Sequence, residues 1–163
     1  MKLTEQAANA ATDAVTHAKN ATAVTERAVI VIESVEVANI TNLTSGLESH
    51  NVIVFTLKNF GQTIANSVKF TGKMSGICQW PFPDIPTSNI APQGTFSWAT
   101  TKSVGVWIGD ENNIRRVNER RGWLEYNVTV TYIDVFENGH TYHCEGRYEP
   151  ALKKFLITSS TSD

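Results

Sequence analysis

The segment from Trp123 to Asp134 restricts the fold more than any other stretch of the chain. Leu124, Tyr126, Val128, Val130 and Tyr132 fall on one side of a strict alternation, and Glu125, Asn127, Thr129 and Thr131 fall on the other. A helix of 3.6 residues per turn would scatter these residues around its axis. A strand sorts them into one apolar and one wet face, as in an antiparallel sheet over a core. Asn138-Gly139 then signals a hairpin, and the return strand puts Tyr142, Cys144 and Tyr148 on one face with His143, Glu145 and Arg147 opposite. A two-residue loop at Asn138-Gly139 would set Tyr132 against Glu145 and mix the two faces. A three-residue loop, Glu137-Asn138-Gly139, sets Tyr132 against Cys144 and Val128 against Tyr148. The expectation is therefore a G1-bulge hairpin with Gly139 at positive φ and Cys144 facing inward.

The same reading extends to the rest of the chain. Ala28 to Val37 is a β-branched run, Asn39 to Asn51 reads as a polar loop, and Val52 to Leu57 is a strand with Ile53, Phe55 and Leu57 on one face. In Ala65 to Met74, Val68, Phe70, Gly72 and Met74 alternate with Lys69, Thr71 and Lys73. With the segments near Phe96 and Val104 and the run Phe155 to Thr158, the chain offers about seven strands and no long helix between them. That pattern predicts a mainly β, immunoglobulin-like antiparallel sandwich. A short helix is expected over Asp110 to Arg121, capped by Asp110 and closed by Gly122.

Composition changes sharply near residue 27. Residues 1–27 hold no Gly, Pro or aromatic residue and are dominated by Ala. Leu3, Ala7, Ala10, Ala14, His17, Ala21 and Val24 are spaced by alternating steps of four and three, as in a coiled-coil seam. Two readings follow: a frayed tail, or a helical spacer roughly 40 Å long at 1.5 Å per residue. The division expected is thus a stalk or tail over 1–27 and a β-sandwich over 28–163.

Chemistry is sparse. A net charge of −2 over 163 residues gives no case for nucleic acid. No apolar run approaches the roughly 18 residues of a membrane span, and Thr4, Glu5 and Gln6 stand where a signal peptide would be apolar. The chain as it stands is therefore expected to be soluble, without an export signal. There is no GxSxG turn, Gly-rich phosphate loop or calcium loop, so neither an enzyme nor a cofactor is expected. His140, His143 and Cys144 lie close in sequence, but strand alternation sends His143 and Cys144 to opposite faces, against a metal site. Cys78 and Cys144 are a candidate disulfide in an oxidising compartment, or two thiols in a reducing one. Arg115, Arg116, Arg120 and Arg121 form a basic patch offset by Asp110, Glu111 and Glu119, which reads first as a solvated helix face. The proline-stiffened loop with Trp80, Phe82 and Ile85 reads either as a plug closing the sandwich or as an exposed anchor for a partner. Asn-x-Thr sequons at Asn20, Asn39, Asn42 and Asn127 read as incidental in an Asn- and Thr-rich chain.

The turn Asn59-Phe60-Gly61-Gln62-Thr63-Ile64-Ala65, followed by Val68, and the proline turn Ala91-Pro92-Gln93-Gly94 before Phe96 carry a resemblance when taken with the Ala-rich stalk. Together they resemble a group of bacterial envelope proteins in which a transmembrane helix and an Ala-rich stalk precede an immunoglobulin-like sandwich. The resemblance implies that fold, an extracytoplasmic or membrane-anchored location through an upstream anchor absent from this sequence, and no catalytic residue. The function expected is a non-enzymatic interaction module with a protein partner. The alternative is a cytosolic protein-binding domain whose N-terminal helix docks on its own sheet or on a partner.

Overall fold

Half-buried strands must cover their apolar faces with one another, and here they do so in two layers. A computed structural model describes residues 2–41, 49–77, 79–82, 85, 87–99, 111–152 and 154–163. An N-terminal helix, α1 (Lys2–Glu26), leads into a mainly β body. One sheet has three strands in the order β1 (Ile30–Thr41), β2 (Ser49–Asn59) and β6 (Thr95–Ala99). The other runs β4 (Trp80–Pro81), β3 (Ala65–Gly76), β7 (Leu124–Ile133), β8 (Gly139–Glu149) and β9 (Lys154–Ser162), and β5 (Ser88–Ile90) also pairs with β3. All these pairings are antiparallel. A short helix, α2 (Glu111–Asn118), precedes β7. The described residues thus supply nine strands, against the seven or so expected. The segment near Val104 and the cap at Asp110 lie outside them.

The core is the set of residues whose alternation was read as apolar. Ile53, Phe55 and Leu57 of β2 are buried, as are Val68, Phe70 and Met74 of β3 and Leu124, Tyr126, Val128, Val130 and Tyr132 of β7. Phe55 sits at the centre, with its ring centroid 5.0 Å from Phe70, 5.4 Å from Phe82, 5.9 Å from Trp98 and 5.2 Å from Tyr126. These tilted, stacked and edge-on contacts suit the ring quadrupoles and lock both sheets to one residue. The Tyr132 hydroxyl adds a polar latch between the layers, donating to the Ala28 carbonyl at 3.3 Å and accepting from the Ile30 N–H at 3.4 Å.

The β7–β8 hairpin corrects the expected register. Tyr132 lies opposite His140, and Val128 opposite Cys144. The loop is indeed a three-residue one with a left-handed third residue, but it spans Val135-Phe136-Glu137, two positions earlier than expected. Glu137, at φ 65°, takes the left-handed place, and Gly139 lies outside that region as the first residue of β8. The cause is Asp134, 2% exposed. Its Oδ1 accepts the N–H groups of Phe136 at 2.8 Å and Asn138 at 3.0 Å, and its Oδ2 meets His140 Nε2 at 2.9 Å. An aspartate that binds the backbone two and four residues ahead folds the turn on itself, which outweighs the Asn-Gly preference. Both registers keep the faces sorted because they differ by an even number of residues, and Cys144 is buried as expected.

Two further corrections concern ends. The expected polar loop from Asn39 to Asn51 is shorter, because β1 continues to Thr41 and β2 starts at Ser49. Helix α2 closes on Arg120, not Gly122: Arg120, at φ 58°, donates to the Val117 carbonyl at 3.0 Å, and the Arg121 N–H reaches Arg116 at 2.7 Å. That is the Schellman pattern with an arginine in the usual glycine position. Gly122 is needed for space, since a Cβ there would stand 2.7 Å from Ile77 Cγ2.

The Asn59 turn is built around a buried amide. Asn59 is wholly buried, donating to the carbonyls of Thr63 at 2.7 Å and Ile90 at 3.1 Å and accepting from Val29 at 3.1 Å and Gly61 at 2.9 Å. A Cβ at Gly61 would fall 2.2 Å from the Arg27 carbonyl. The turn therefore fixes where the chain enters β1. By contrast, residues 9–22 of α1 are all exposed. Among the described residues, no helix is long and apolar enough to cross a membrane.

Candidate functional site

The six-stranded sheet has an outer face whose residues pair across strands. Glu125 meets Arg147 at 3.1 Å, Asn127 bonds Glu145, and Thr129 meets His143 Nδ1 at 2.9 Å. Lys69, Thr71, Lys73 and Ser75 of β3 lie in register beside Thr131, Thr129, Asn127 and Glu125 of β7. Alternation makes this row, because each side chain stands between two core residues on its own strand.

At one end of the face, the loop after α2 meets the end of β8 and leaves an open cleft of about 390 Å³. Arg120, Arg121, Trp123, Arg147, Tyr148 and Glu149 line much of it. Trp123 is 52% exposed, an unusual state for the largest apolar side chain. The Schellman closure places Arg120 and Arg121 here, and the alternation of β7 puts Trp123 on the outer face with Glu125. Each arginine faces a carboxylate: Arg120 meets Glu149 at 2.9 Å, Arg121 meets Glu119, and Arg147 meets Glu125. These pairs are largely solvated, so they hold the side chains in place more than they stabilise the fold. A guanidinium has five N–H donors, and one carboxylate contact leaves several of them available.

Two further clefts continue along the same face. One of about 220 Å³ is bordered by Lys73, Glu125, Asn127 and Glu145, and one of about 480 Å³ by Lys69, Thr87, Thr131, Ile133 and Thr141.

The basic patch read from the sequence divides. Arg120 and Arg121 reach the cleft, while Arg115 lies on α2 at 4.0 Å from Glu119, and Arg116 is exposed on the same helix. In the proline-rich loop, Phe82 is buried in the core, and Trp80 and Ile85 pack half-buried against it. Trp80-Pro81 pairs with β3 as a short edge strand, where a proline's missing N–H costs no ladder bond. Phe82 thus belongs to the core and is not offered as an anchor, whereas Trp80 and Ile85 keep part of their surface in solvent. Cys144 is a buried free thiol whose Sγ lies 3.6 Å from the Tyr126 hydroxyl, and burial pushes it above the ordinary thiol range. Its candidate partner, Cys78, lies outside the described residues.

The three residues weighed as metal ligands are separated. His143 stands on the outer face against Thr129, Cys144 points inward, and His140 bonds Asp134 at the hairpin. Burial would raise the Asp134 carboxyl, but bonds from His140, Asn138 and Phe136 outweigh it and hold the group below the ordinary carboxylate range. Among the described residues, no group of three or more His, Cys, Asp or Glu side chains is placed to hold a metal ion.

Sequence reasoning passed over Trp123, which it used only as the start of a strand. Its signal was its parity, since it shares the wet face with Glu125. Comparisons with protein-family models, curated proteins and solved structures find no match for this chain.

Proposed function

We propose that this chain is a non-enzymatic binding module of a bacterial envelope protein, engaging its partner through the outer sheet face and the Trp123 cleft. The observation that carries this reading is the half-exposed Trp123, set among ordered charged side chains on a rigid sheet. Exposed tryptophan and arginine groups on stiff scaffolds are frequent binding hot spots. Exposure of residues 9–22 supports α1 as a spacer and speaks against a helix docked on its own sheet. An upstream anchor would hold the module at the envelope.

Two measurements test the reading. Protease treatment of intact cells should remove a natively expressed domain from the surface; a domain that survives in the soluble fraction after lysis instead makes it cytosolic. Separately, the immobilised protein should retain solubilised envelope material that Trp123→Ala protein, equally folded, does not. Equal retention by the two would place the binding surface elsewhere.

A further inference from the structure

Charge balance and shape at the outer face narrow the ligand class. Three arginines ring the Trp123 cleft, which taken alone would suggest an anion. Yet each guanidinium already holds a carboxylate: Arg120 bonds Glu149 within the cleft, while Arg121 and Arg147 bond Glu119, which Arg115 also approaches, and Glu125 at its margin. An incoming carboxylate or phosphate would gain one guanidinium and meet a carboxylate within a few ångströms, on a chain whose net charge is −2. A neutral ligand avoids that conflict. The arginine–glutamate pairs present donors and acceptors side by side, which suits groups that both donate and accept, namely hydroxyls. The exposed indole adds a flat apolar platform for a ring with an apolar face.

The arrangement then repeats along the sheet. Beyond the cleft, the outer face offers Asn127 with Glu145, then Thr129 with His143, then Lys69, Thr131 and Thr141, all on adjacent strands. The three clefts follow this row from Trp123 to Ile133. Between residues 125 and 133 the row covers about 27 Å at 3.4 Å per residue. Such a row has little apolar area in its middle and no cluster of like charge. It suits an extended, hydroxyl-rich, uncharged chain far better than a hydrophobic or acidic peptide.

We infer that the outer face of the six-stranded sheet is a binding track for a neutral oligosaccharide, with one sugar ring stacked on Trp123 and its hydroxyls bonded to the arginine–glutamate pairs. The inference rests on the binding-module reading and specifies its ligand. The test is calorimetric titration of the full chain with disaccharides and hexasaccharides of glucose, mannose and N-acetylglucosamine, and separately with polyglutamate and polyphosphate. Binding of at least one neutral hexasaccharide is expected, about tenfold tighter than its disaccharide and nearly independent of salt. Trp123→Ala should weaken it about tenfold or more, and Asn127→Ala several-fold, both with unchanged melting. Binding of the polyanions alone, with steep salt dependence, overturns the saccharide assignment but leaves the module reading intact. No saccharide binding at millimolar concentration also overturns it, and retention of envelope material by wild-type but not Trp123→Ala protein would then show that the module reading survives. Saccharide binding untouched by Trp123→Ala and Asn127→Ala moves the site off this face and likewise overturns it.

Discussion

The two faces of the six-stranded sheet come from the same strands and the same alternation, yet they obey different physics. Inward, Tyr126, Val128, Val130 and Cys144 have almost no contact with water and join the aromatic cluster around Phe55. Outward, Glu125, Asn127, Thr129, Glu145 and Arg147 pair with one another in solvent. Burial is worth about 25 cal/mol per Å², whereas exposed pairs contribute roughly 0–1 kcal/mol each. The inner face should therefore carry the stability and leave the outer face free to carry recognition.

The sharpest way to break this comparison is Phe55→Ala. It empties the meeting point of four aromatic rings and should cost roughly 3–5 kcal/mol in denaturant unfolding. A loss under about 1 kcal/mol would show that the cluster is not the core. Asn59→Ala comes next. It strands the Val29 and Gly61 N–H groups and two carbonyls inside the protein, for an expected loss of about 3 kcal/mol. Here a melting temperature close to wild type would count against the turn as an organiser.

Asp134→Asn should cost less, about 1–2 kcal/mol at neutral pH, because the amide oxygen can keep the backbone donors. Its signature is in the pH dependence. The folded carboxyl sits below its ordinary value, so its contribution is complete above the unfolded pKa near ~3.9 and is lost as pH falls through the folded value. Wild-type protein should lose this increment in acid, and the asparagine variant should lack that part of the slope. Identical slopes would remove Asp134 from the account. The smallest effect is expected from Thr129→Ala on the outer face, within about 0.5 kcal/mol. A larger loss would mean that the polar row is structural after all.

Legibility in the sequence followed the same division. The core of β2, β3, β7 and β8 could be read directly, because period two marks a buried face without knowledge of the partner strand. Hairpin register could not, since shifts by even numbers of residues preserve that pattern, and the choice fell to Asp134 binding its own loop. The end of α2 was misplaced for a similar reason: Gly122 looked like a cap, but Ile77, distant in sequence, was what required a glycine. Of the site, the sequence showed Arg120 and Arg121 but not their neighbours, because Arg147 and Glu149 arrive from another strand. Trp80 drew attention as an aromatic in a proline loop, whereas Trp123 passed as an ordinary strand start. Exposure separates those two tryptophans, and composition does not report exposure.

The bare surface of α1 has a mechanical consequence. Twenty-five helical residues measure about 38 Å, and the same residues drawn straight reach roughly 85 Å. Residues 9–22 have no burial holding their turns closed, and an Ala-rich helix of this length is only marginally stable in water. Under tension such a segment yields before the sandwich does, so a load between the two ends of the chain would be absorbed by lengthening at nearly constant force while the sheets stay closed.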